Sequence, residues 1–128
     1  MIKYTKEVEY MKVKDSIKDL LGIKSELSEV EYSRHGLKRH IEKRKHYDVI
    51  KYIDDVENII ENPDYVGINP NENKISLEYV KCLEKNVLLA LKLNKTKDKF
   101  FIASMYTIND YKLESRKFSG RLKKVDKK

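Results

Sequence analysis

The sequence predicts a single α+β domain, residues 1–128, in which N-terminal helices pack on a small antiparallel β-sheet. Three observations carry that prediction. Apolar residues recur at helical spacing up to Pro63, strand-like runs replace that period beyond it, and 128 residues can close one hydrophobic core but not two. Helices followed by a meander of strands make an antiparallel α+β domain.

Glu7–Lys14 opens with Val8 and Tyr10 alternating against charge before the pattern slips at Met11, which predicts a short strand. Asp15 or Ser16 then caps a brief helix through Leu20 and Leu21, with Gly22 as its stop. Ser25–Tyr32 is polar and ambiguous. From the N-cap Ser33 the spacing turns helical, with Leu37 and Ile41 one turn apart. Val49, Ile53, Val56 and Ile60 follow as the stripe of an amphipathic helix that ends at Asn62-Pro63, because the residue before proline is pushed out of helical geometry.

Tyr65–Ile68 reads as a short strand, Pro70–Asn73 as a polar turn, and Ile75–Leu77 as the next extended piece. Val87–Leu93 and Lys99–Tyr106 are clearer strands joined by the hairpin loop Asn94–Asp98. Asp110–Lys128 is polar and basic, read as a helical turn and a frayed end.

Charged residues make up 38% of the chain, well above the roughly 25% of an average protein. A net charge of +7 favours a polyanionic partner, nucleic acid before an anionic surface. No apolar run approaches the roughly 20 residues needed to cross a bilayer, and Met1–Tyr10 carries charge where a signal peptide would be apolar. A cytoplasmic chain with no membrane partner is expected. Cys82, the one cysteine, excludes an internal disulfide and a multi-thiolate zinc site, and reads as an inert buried thiol.

The charge is segregated. Arg34, Lys38, Arg39, Lys43, Arg44 and Lys45 stand against Glu42 alone, and Arg116, Lys117, Arg121, Lys123, Lys124, Lys127 and Lys128 against Asp126 alone. Acids gather between Asp48 and Glu72. Two basic segments that converge would make a phosphate-binding cleft; two that do not are solvated faces.

His35, His40 and His46 all fall in or just after the first basic segment, at separations of five and six. Zinc ligation from one helix face uses a separation of four, so the spacing argues against a metal. On a continuous helix His35 and His46 would lie on one side roughly 16 Å apart while His40 points elsewhere. The cluster does offer an imidazole that exchanges a proton near neutral pH beside cations that hold phosphate. Such equipment suits a metal-free, cofactor-free ribonuclease, in which the ribose 2′-hydroxyl attacks the adjacent phosphorus; it equally suits phosphate contact without catalysis.

Four stretches in order, Ser33–His40 continuing to His46, Ile59–Val66, Phe101–Tyr106 and Ser119–Lys123, resemble phage-associated nucleases of the superfamily that groups barnase, EndoU, colicin-type RNases and RelE. The resemblance spans a nuclease-like core of residues 20–124, followed by a short basic tail. It implies helices on a small antiparallel sheet, a toxin or phage-effector RNase activity without metal, His40 as acid or base with His46 second, and Arg39, Lys43 and Arg44 as phosphate ligands. Where that family often carries threonine this chain has Ser104, which alternation puts on one strand face with Tyr106 and opposite Thr107. Ser104 and Tyr106 are therefore candidate site residues, and Arg116 and Arg121 candidates to close the cleft.

RNA, tRNA included, is the expected substrate, and an antitoxin or immunity protein a candidate partner. Two rival readings use the same residues: a non-catalytic nucleic-acid-binding module, whose nine tyrosines could stack bases, and a phage accessory protein on a decayed nuclease fold.

Overall fold

The computed structural model describes residues 8–94, 96 and 98–126. Glu7, Lys95, Lys97, Lys127 and Lys128, which enter the expectations above, lie outside the described residues. Strand β1 (Glu9–Lys12) leads into helix α1 (Asp15–Leu21). Neither Asp15 nor Ser16 caps α1: Lys14 holds the N-cap position without a side-chain bond, and Asp15 sits in the first turn, where it complements the helix dipole. Gly22 ends the helix in the left-handed conformation, φ 70°.

The ambiguous stretch contains β2 (Glu29–Tyr32), with Val30 and Tyr32 buried and two glutamates between and before them. Helix α2 (Arg34–Lys43) starts where expected, the Ser33 hydroxyl accepting from the Gly36 N–H at 3.1 Å. The next helix is split. Tyr47–Asp55 is a 3-10 helix and only Val56–Glu61 is α-helical, here α3. A three-residue period replaces four, so Tyr52 is buried after Val49 while Ile53 is only partly covered.

Strands β3 (Tyr65–Ile68), β4 (Ser76–Cys82), β5 (Asn86–Leu93) and β6 (Phe100–Ile108) follow, then helix α4 (Asp110–Phe118) and β7 (Leu122–Lys124). The tail is thus more ordered than a turn and a frayed end. The sheet has seven strands in the order β1-β2-β6-β5-β4-β3-β7. It is mixed rather than antiparallel, because β2 lies parallel to β6 at Val30 and Phe100. β2 meets β6 only at Phe100 and Phe101, and α2 and the 3-10 helix also contact β6.

The two sheet faces carry different cores. Ile17, Leu37, Ile41, Val49, Val56 and Ile60 from the first helices share one cluster with Leu77, Tyr79, Leu89 and Met105 of the sheet. Alternate residues Val80, Leu88 and Ile108 join Leu113 of α4 and Leu122 of β7 in a second cluster. Beyond α4 that second face is left open, and the cleft lies there. Cys82, at the end of β4, is exposed, not buried; the strand's last residue has passed the edge of the core.

Candidate functional site

A break in the chain after α2 builds the site. Lys45 adopts a left-handed φ of 58°, the His46 N–H donates to the Ile41 carbonyl at 3.0 Å, and the Lys45 N–H donates to Glu42 at 3.1 Å. This paired closure is a Schellman end, normally completed by glycine, as Gly22 does for α1. The continuous helix assumed for the histidine spacing is therefore corrected. His40 and His46 line one cleft, and His35 lies exposed near the start of α2, away from it.

The cleft encloses about 440 Å³. His40, Arg44 and His46 form one wall, Ser104 and Tyr106 of β6 project into it, and Ser76 and Glu78 of β4 lie across from them. Register explains the grouping, since Glu78 pairs with Ala90 and Ala90 with Ser104, all on one face. A register shift at Ala90/Leu91 interrupts β6 just before Ser104; such bulges re-aim side chains. Thr107 points to the other face, where its hydroxyl donates to the Asp48 carboxylate at 2.5 Å.

The His46 ring stands 5.9 Å from the Tyr106 ring, tilted by 55°. Its Nδ1 is buried with no hydrogen-bond partner among the described residues. Burial pushes the His40 pKa below its ordinary value, and the charges of Arg44, His46 and Lys43 lower it further. His40 is thereby kept neutral near pH 7 and able to accept a proton.

The cations divide. Arg44 lines the cleft, whereas Arg39 and Lys43 are exposed on α2 and do not line it. Arg34 is taken up by Asp54 (2.8 Å) and Glu57, which draws the acidic segment against the basic helix and removes this arginine from the free positive face. Arg116 and Arg121 from the tail bind Glu78, which lines the cleft, but themselves line a neighbouring groove. Of the two basic segments only Arg44 lines the cleft itself.

Sequence reasoning passed over Glu78, which lines the cleft and is 1% exposed. It also passed over Gly67, outside the cleft, where a Cβ would lie 1.9 Å from the Arg121 carbonyl oxygen. Its signal was a glycine inside a strand, which marks a close backbone approach. Among the described residues no three His, Cys, Asp or Glu side chains gather as metal ligands, and no helix is long and apolar enough to cross a membrane.

Residues 8–115 match the family model described as phage-Barnase-EndoU-ColicinE5/D-RelE like nuclease3. The chain belongs to this family of phage-type nucleases. The match includes β1, which precedes the core expected from the sequence, and ends within α4, so Ser119–Lys123 lies outside it. Neither the curated proteins nor the solved structures compared with the chain contain a match. Membership in the nuclease family makes nucleic acid the substrate class.

Proposed function

We propose that the chain is a metal-independent endoribonuclease, a toxin or phage effector acting in the cytoplasm, that cleaves RNA by attack of the 2′-hydroxyl and leaves a 2′,3′-cyclic phosphate. One observation carries the reading: the helix break at Lys45 brings His40 and His46 into the same cleft, beside Arg44, Ser104 and Tyr106.

Neutral His40 takes the proton of the 2′-hydroxyl, whose oxygen then bonds to the adjacent phosphorus. The bond from phosphorus to the 5′-oxygen breaks, and His46 supplies the proton that this oxygen needs to leave. Arg44 faces the negative charge that grows on the phosphoryl oxygens, and the Ser104 and Tyr106 hydroxyls donate to it. Arg39 and Lys43, outside the cleft, fit contacts to phosphates further along the strand. DNA lacks the nucleophile, so the chemistry selects RNA.

The test is incubation of the purified chain with total RNA and with tRNA in excess EDTA, beside a His40→Ala variant. Cleavage by the unaltered chain alone, with cyclic phosphate at the new ends, is the expected result. If neither protein cuts while both bind RNA, the cleft is a phosphate-contact surface and the catalytic reading fails.

A further inference from the structure

Outside the cleft, α4 turns an aromatic face to solvent. Tyr111 is 84% and Phe118 97% exposed, the highest values of any large hydrophobic side chain among the described residues. Leu113 fixes the helix against Val80, Leu88, Ile108 and Leu122, which leaves Tyr111 and Phe118 on the outer side. Seven residues apart, they share one helix face with roughly 10.5 Å between them along the axis.

A groove of about 750 Å³ runs past Tyr111, and every charged residue lining it is a cation: Lys112, Arg116, Arg121 and Lys123. Arg116 and Arg121 are also the residues that hold Glu78, which lines the His40 cleft. Groove and cleft are therefore adjacent, separated by one buried ion cluster. One exposed ring lining a carboxylate-free basic groove, with a second on the same helix face outside it, matches a single-stranded polynucleotide, whose phosphates meet cations and whose unpaired bases stack on aromatics of any sequence. A purely apolar protein partner would cover Lys112 and Lys123 without supplying a counter-charge.

We propose that this surface is a second RNA-binding subsite, in which Tyr111 and Phe118 stack unpaired bases flanking the scissile position and Lys112 and Lys123 hold the intervening phosphates. The identity of the strand as RNA rests on the ribonuclease reading; the subsite itself does not require catalysis. It makes the enzyme select single strands, because paired bases offer no free faces.

The experiment measures binding of a short 2′-O-methyl oligonucleotide, which cannot be cleaved through its 2′-oxygen, to the full chain and to a Tyr111→Ala/Phe118→Ala variant. The same strand annealed to its complement is the control. The double variant should bind the single strand about tenfold or more weakly, while duplex binding stays put. Phe118→Leu, which keeps apolar bulk without a ring, should also weaken single-strand binding, and unchanged denaturation midpoints show that the variants fold. Single-strand affinity within twofold of the unaltered chain overturns the subsite. So does loss of self-association in sedimentation with RNA affinity intact, which would make the face a contact between copies. If the chain fails to cut RNA in EDTA yet loses single-strand preference on substitution, the catalytic reading falls and the subsite stands.

Discussion

Arg121 grips Glu78 with two hydrogen bonds on the floor of the His40 cleft, Nε to Oε1 at 2.7 Å and Nη2 to Oε2 at 2.8 Å. Arg116 adds a longer contact to Oε2 at 3.5 Å. A carboxylate this deeply buried is stable only when paired, and the pairing holds the Arg121 guanidinium above its ordinary pKa, chiefly through the hydrogen bond to Glu78. Two cations of the tail are thereby tied to the strand that carries the cleft.

Replacing Glu78 with Gln keeps the shape and removes the charge, so Arg116 and Arg121 lose their counterion. Because the arginine side chains keep 16% and 17% exposure, the loss belongs at the low end for a broken buried pair, about 3 kcal/mol. Urea denaturation measures it. An unchanged midpoint would mean that the ion cluster contributes nothing to holding the tail.

Gly67→Ala tests the same anchor from the other side. The added methyl would meet the Arg121 carbonyl at 1.9 Å, a backbone atom that cannot swing away, so β7 must separate from β3 at the Gly67–Leu122 pairing. Overpacking of this kind costs about 1–3 kcal/mol. Hydrogen exchange at the β3–β7 amides should rise together with the loss of stability, and a neutral substitution would place Arg121 elsewhere.

Much of this arrangement was legible in the sequence. Val87–Leu93 and Lys99–Tyr106 are strands because their apolar runs are long and bounded, and Ser33 caps α2 through its own hydroxyl. What stayed hidden depends on tertiary partners. Glu29–Tyr32 is a strand whose two glutamates mask its period, and it is stabilised by β1 and β6, which no local pattern announces. Leu122–Lys124 has one apolar residue and becomes a strand by pairing with β3. The meeting of His40 and His46 depends on a left-handed lysine, a conformation that residue type argues against.

Lys45→Gly follows from that turn. A side chain at φ 58° carries about 1–2 kcal/mol of steric cost that glycine relieves, offset in part by the greater freedom of glycine in the unfolded chain. A net gain of about 0.5 kcal/mol in thermal or urea unfolding is expected, with the His40–His46 cleft intact. Destabilisation instead would show that the lysine side chain, not the backbone turn, holds the end of α2.

The pH dependence of cleavage should report His40. Burial first, then Arg44, His46 and Lys43, lower its pKa from the ordinary 6.5, so between the native value and 6.5 the unfolded chain binds more protons than the folded one. Stability therefore falls as pH drops through that window and is untouched by this group above it. If neutral His40 is the base, the rate falls on the acid side with a midpoint below 6.5. Arg44→Gln removes one of the repelling charges, lets the His40 pKa rise back toward 6.5, and moves that midpoint to higher pH, which is measured as a shift in the profile apart from any loss of maximal rate. A lower rate with an unmoved midpoint would leave Arg44 as a phosphate ligand only and would assign the acid limb to a group that Arg44 does not face.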